Sequence, residues 1–196
     1  MMNLAEYRRT ASRLADYLPW VALVGFGVVL NKDGSFQRTA KFRGPDLDSA
    51  VAAELVAVAG RLNNAFRRLG SGWAIFVEAQ RSEAATYPAS RFPDPASALV
   101  DAERKADFEE KGSHFVSGYF LTFLWLPPAE DAARSESWLY EGRETSSVNP
   151  WELVRGFADR TDRVLALLDG FMPECRWLDD AGTLTYLHST ISINRH

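Results

Sequence analysis

An Asp-Gly pair, Asp33-Gly34, sits between two runs of strand-forming residues. Such a pair favours a tight hairpin turn, because glycine adopts positive φ without steric penalty. On one side, Val24 to Leu30 is apolar and β-branched and reads as a strand. On the other, Phe36, Arg38, Ala40 and Phe42 alternate with Gln37, Thr39 and Lys41. Period-two alternation puts those sets on opposite faces of a return strand, one wetter than the other. A hairpin joins its strands antiparallel, so the sheet that it opens cannot be purely parallel.

Helical patterns fill much of the remaining chain. The first runs over Leu4 to Tyr17 and stops before Pro19. Pro45 and Asp46 open a second, in which Leu47, Val51, Leu55, Val58, Leu62, Phe66 and Leu69 form one apolar stripe, closed by Gly70. Trp73 to Gln80 alternates as a strand. Asp94 as cap and Pro95 at the first helical position announce a helix to Gly112, whose i,i+4 charges read as a solvated face. Tyr119 to Leu126 is apolar on both faces, as a central strand should be, and Pro127-Pro128 ends it. Asn149, Pro150 and Glu152 form a capping box for a helix that carries Val154, Phe157, Val164, Leu165 and Leu168 and stops at Gly170. From Thr183 the pattern fits a helix with Leu184, Leu187, His188 and Ile191 on one side, although Thr185, Leu187 and Ser189 also alternate like a strand. The expected fold is α+β, a mixed or antiparallel sheet opened by a β-hairpin and covered on one face by three to five amphipathic helices. At 196 residues the chain is one domain, spanning 1–196.

Composition narrows the function classes. With 46% hydrophobic residues the chain is no disordered segment. Asp and Glu number 26 against 22 Lys and Arg, a net charge of -4, which argues against a sequence-independent nucleic-acid binder. The single cysteine excludes an internal disulfide, and Cys175 is expected to be a buried, inert thiol. The longest uncharged stretch, Tyr17 to Asn31, falls short of the ~20 apolar residues of a membrane span, and no signal-peptide pattern is expected around it. None of the lysines (Lys32, Lys41, Lys105 and Lys111) follows a glycine, so the chain has no phosphate-binding loop of the G-x-x-x-x-G-K-[ST] type. Gly25-Phe26-Gly27 lacks the third glycine of a dinucleotide fingerprint and reads as close strand packing. His114, His188 and His196 are too scattered for a metal set. Asp179, Asp180, His188 and Ser189 are the raw material of a hydrolytic or carboxylate site, the alternative that a stand-alone enzyme would use.

Two features suggest binding. Arg8, Arg9 and Arg13 share a helix that leads to Tyr17 and Trp20, a combination suited to an anionic membrane surface or an acidic partner, or else simply a charged face leading into the core. Trp138 and Tyr140 form an aromatic cluster inside the polar segment from Ala129 to Val148, either the kind of anchor that interfaces use or a cluster that folds back to cover the sheet.

Longer peptides add a resemblance. Leu30-Asn31-Lys32-Asp33-Gly34-Ser35-Phe36 with Phe42-Arg43-Gly44-Pro45-Asp46-Leu47, Arg91-Phe92-Pro93-Asp94-Pro95, Gly170-Phe171-Met172-Pro173-Glu174-Cys175 and Gly182-Thr183-Leu184-Thr185-Tyr186-Leu187-His188 look like TrbE-type conjugal transfer proteins of the CagE/TrbE/VirB family. The resemblance implies the amino-terminal domain of a type IV secretion ATPase, with the motor that binds ATP and Mg²⁺ absent from this chain. It also implies no catalytic, cofactor or metal residue here, docking to inner-membrane subunits at the cytoplasmic face, homo-oligomers of the full-length protein, and no direct nucleic-acid contact.

Overall fold

The computed structural model describes residues 13–84, 86–110, 114–128 and 150–192. The strands are β1 (Trp20–Gly25), β2 (Val28–Asn31), β3 (Phe36–Arg43), β4 (Trp73–Glu83), β5 (Phe115–Trp125) and β6 (Glu174–Trp177). The helices are α1 (Leu14–Tyr17), α2 (Ala52–Phe66), α3 (Pro95–Glu110), α4 (Pro150–Asp169) and α5 (Asp180–Ile191). The sheet has the order β1-β2-β3-β5-β4, and β6 also pairs with β3. Every pairing is antiparallel, which settles the expected mixed-or-antiparallel sheet as antiparallel. β3 is the hub: β5 runs along one edge, while β2 takes Phe36 to Arg38 and β6 takes Ala40 to Arg43 on the other.

The opening hairpin forms where the Asp-Gly pair predicts, with a three-residue loop. Asn31 N–H bonds to Ser35 O at 2.8 Å, and Gly34 alone in the loop has positive φ, at 79°. Asp33 stiffens the loop by accepting from Ser35 N and Ser35 Oγ. The expected Val24 to Leu30 strand is instead two strands joined by a turn at Phe26-Gly27. The glycines act separately there: Gly27 makes the turn at φ 62°, and Gly25 lets Val154 pack closely.

One face of the sheet holds the larger core. Phe36, Ala40, Leu121, Phe123 and Trp125 point toward α4, whose Val154, Phe157, Val164, Leu165 and Leu168 are buried as the capping-box reading expects. Phe157 stacks on Trp73 with ring centres 5.5 Å apart. Burial of each such ring contributes roughly 1.5–3 kcal/mol. Arg38 lies on this same apolar face with its side chain only 6% exposed, held by Asp162 of α4 at 2.7 Å. Asp162 Oδ1 also accepts from Trp177 Nε1 at 2.7 Å, and the Trp177 ring lies 4.1 Å from the guanidinium. Burial lowers the Arg38 pKa, opposed by the Asp162 charge and hydrogen bond.

Several expectations change. α1 starts only at Leu14: Arg13 before it is extended, at φ -117° and ψ 150°, so the helix expected from Leu4 does not run through Arg13. Residues 4–12 of that expectation lie outside the described residues. α2 begins at Ala52, not at Asp46, because Asp46 accepts from Asp48 N in a turn of its own and Glu54 reaches back to Val51 N instead. Only Ala65 of α2 is buried, with Leu62 and Phe66 against the core, while Val51 and Leu55 at the start of its stripe stay exposed. α5 is a helix as the pattern favoured, but it lies on the second face of the sheet, so helices do not cover one face alone. Its buried side is Thr183, Tyr186 and Leu187, rotated from the expected stripe, and Leu184 and Ile191 are exposed. β6 has no counterpart in the periodicity, since four residues are too few to alternate visibly.

Replacing Asp162 by Ala should destabilise the domain by about 2 kcal/mol in urea titration, below the figure for fully buried pairs because the carboxylate is half exposed. Asp162→Asn, which keeps an acceptor for Trp177, should lose less. At Gly27 an added Cβ collides with the Leu178 carbonyl oxygen, so Gly27→Ala should lower stability by roughly 1–3 kcal/mol. Gly60, in the middle of α2 with open space around it, provides the contrast: Gly60→Ala should raise stability by about 0.5–1 kcal/mol.

Candidate functional site

The second face of the sheet carries a groove of about 570 Å³ beneath and beside α5. Its position follows from how α5 is anchored. Asp179 caps the helix by accepting from Gly182 N at 2.7 Å, and Asp180 Oδ1 accepts from Gly27 N at 2.8 Å. The first bond satisfies an amide that the helix itself cannot pair. The second pins the helix start to the β1–β2 turn. Tyr186 and Leu187 then pack with Val29, Trp20, Leu23, Phe120 and Leu178. What this packing leaves open is lined by Lys41, Gln80, Phe120, Leu184, His188 and Ser189, among others.

A chain of polar contacts runs along the floor. Thr39 and Thr122, opposite each other on β3 and β5, pair through their hydroxyls at 2.9 Å. The Thr122 hydroxyl lies 3.4 Å from Tyr186 Oη, which donates to Glu78 Oε2 at 2.8 Å. Gln80 Nε2 donates both to Glu78 Oε1 and to Ser189 Oγ, at 3.0 and 2.9 Å. Burial, with the Glu78 bond and charge added and the Thr122 contact opposing, pushes the Tyr186 phenol up to about 12. Tyr186 therefore stays protonated and acts as a donor throughout the physiological range.

This arrangement does not assemble the hydrolytic set. His188 and Ser189 both line the groove, whereas Asp179 and Asp180 are occupied at backbone amides at the start of α5. Ser189 Oγ donates to Tyr186 O at 2.7 Å while accepting from Gln80, so its proton is directed into the helix. A nucleophilic serine needs a base at that proton. Cys175 is buried, and burial followed by the nearby Asp169 raises its pKa to about 11, which keeps the thiol neutral. Among the described residues no group of three His, Cys, Asp or Glu side chains is placed to hold a metal ion.

Of the interface candidates, Arg13 is exposed at the start of α1, and Trp20 is half-buried in the packing against α5. Arg8, Arg9, Trp138 and Tyr140 lie outside the described residues. The polar floor of the groove escaped sequence reading. Lys41, Glu78, Gln80 and Thr122 meet only through the cross-strand register, although Lys41 already fell on the wetter set of β3.

Tyr186→Phe should cost about 1 kcal/mol through the lost Glu78 bond. The raised phenol pKa contributes stability that is complete below pH 10, the ordinary value, and is lost as pH rises from there to about 12. Urea titrations across that interval should show a flatter pH dependence for the variant than for the natural chain.

What the groove alone does not carry comes from the relatives of the chain. Residues 27–133 match the family described as type IV secretion system ATPase VirB4/TrbE, N-terminal domain. The chain is 33% identical over its whole length to the conjugal transfer protein TrbE of Rhizobium radiobacter, of which it spans 22%. It is 39% identical over 130 residues to the first piece of a probable conjugal transfer protein TrbE of Sinorhizobium fredii, an alignment covering 65% of this chain and 87% of that piece.

Proposed function

The chain belongs to the type IV secretion system ATPase VirB4/TrbE family, as its N-terminal domain, and on that premise we propose a non-catalytic docking and assembly role. In this reading the domain holds an ATPase of conjugal transfer against inner-membrane subunits of the secretion channel, at the cytoplasmic face of that membrane. ATP and Mg²⁺ are bound by a motor elsewhere in the longer protein, which works as a homo-oligomer. The domain itself has no direct contact with nucleic acid.

The observation that carries the non-catalytic half of this reading is where the polar groups of the domain are spent. A phosphate cradle needs glycine-loop amides turned toward an anion and a lysine following them. Here the amide of Gly27 is already taken by the Asp180 carboxylate, and no lysine follows a glycine. The hydroxyls of Tyr186 and Ser189 are likewise committed within the fold. The docking half draws on what the resemblance to conjugal transfer ATPases implies and on the exposed Arg13 at the extended start of α1, near Arg8 and Arg9 in sequence. No helix among the described residues is long and apolar enough to cross a membrane, which suits a peripheral attachment.

Two measurements on the 196-residue chain test the two halves. Calorimetry with Mg-ATP should give no heat of binding, and a stoichiometric heat would reject the non-catalytic assignment. Replacing Arg8, Arg9 and Arg13 with Glu should reduce co-sedimentation with inner-membrane vesicles several-fold. Unchanged binding would remove that surface from the docking role.

A further inference from the structure

A second surface of the domain is charged in a way that the docking role does not use. Arg68, just after α2, and Arg160 and Arg163 of α4 border a groove of about 520 Å³ floored by Leu69, Val164 and Leu167. All three arginines are exposed and none forms an ion pair with a described residue, although the Arg160 guanidinium lies 5.3 Å from the centre of the Trp125 ring. Like charges gathered in one groove repel each other and favour an acidic occupant. Guanidinium groups suit carboxylates because their fork of donors matches two oxygens.

The described chain holds a matching acidic element. α3 buries no residue, an unusual state for a helix of 16 residues. It carries Asp101, Glu103, Asp107, Glu109 and Glu110 against Arg104 and Lys105, five acidic groups to two basic. Leu99 and Val100 near its start are 63% and 50% exposed.

The order of residues is complementary as well as the charge. Leu99, Glu103 and Asp107 follow at i, i+4 and i+8, one stripe along α3. Leu167, Arg163 and Arg160 form a stripe that runs the opposite way along α4. With the two helices antiparallel and Leu99 set against Leu167, Glu103 meets Arg163 and Asp107 meets Arg160.

One copy cannot make this contact within itself. The arginine groove adjoins the start of β4, since Arg68 and Leu69 immediately precede the turn into Trp73. α3 packs at the other end, where Tyr87 donates to Asp101 and Phe108 stacks on His114 beside Glu83. The 11 residues of β4 separate the two ends by about 36 Å. We propose that α3 of one copy docks in the arginine groove of a second copy of this chain, head to tail. Such a contact uses different surfaces on the two copies and so can propagate from one to the next.

Sedimentation velocity of the 196-residue chain tests this at about 0.02 M salt and again near 0.5 M, where exposed charges are screened within a few ångströms. The natural chain should self-associate at low salt and dissociate at high salt. Arg163→Glu and Glu103→Lys should each weaken association roughly tenfold, with far-UV circular dichroism confirming that both variants remain folded. An equimolar mixture of the two should regain association, because each supplies the surface that the other has lost. A natural chain that stays monomeric at low salt overturns the proposal. So does self-association that neither variant alters, or a mixture of folded variants that fails to associate.

Discussion

A cation inside an apolar layer is the constraint around which the rest of this fold is arranged. Arg38 lies on the inward face of β3 among Phe36, Ala40 and Phe123, where a lone guanidinium would be strongly disfavoured. It is tolerated because α4 supplies Asp162 and β6 supplies the Trp177 ring, with the indole N–H fixing the same carboxylate oxygen. Three elements distant in sequence therefore have to arrive together. Hydrophobic contact alone would let α4 slide along the sheet, since leucine and valine pack at many offsets. The charge pair and the indole bond specify one offset, and the Phe157–Trp73 stack forms at that position.

Much of the framework was legible because local chemistry dictates it. The Asp33-Gly34 turn, the alternation of β3, the start of α3 at Asp94-Pro95 and the inward stripe of α4 all follow from signals within a dozen residues. What escaped depends on tertiary partners. Gly27 is a turn residue only because β1 and β2 pair across it, and β6 is a strand only because β3 leaves an edge open at Ala40 to Arg43. The apolar stripe of α2 is longer than the surface available to it, so its first turns remain exposed although their spacing is that of a core helix. α5 shows a subtler case: its helical character was readable, but its buried side was set by Tyr186 finding Glu78 and Thr122.

The candidate site divides in the same way. His188 and Ser189 were visible as chemistry-bearing neighbours, and they do line one groove. The carboxylates that would have completed a hydrolytic set turned out to be helix anchors: Asp179 accepts from the unpaired Gly182 amide in the first turn of α5, and Asp180 from the Gly27 amide of the β1–β2 turn. Family membership follows from chain-long similarity, whereas the proposed assembling role draws on polar groups already bonded within the fold. The net charge of -4 hides an uneven surface, with arginines gathered near one end of β4 and carboxylates on α3 near the other.

The shared edge of β3 also bears on how the chain is made. The strand pairs first with β2 across a short loop, then with β5 some 80 residues later, and completes its edge only with Glu174 to Trp177. While the polypeptide is being synthesised, the edge of the second half of that strand that faces β6 must wait for more than 100 residues with its backbone groups unpaired. Contacts of such long sequence separation form slowly. The nascent hub strand is thus the segment that a chaperone has most reason to shield.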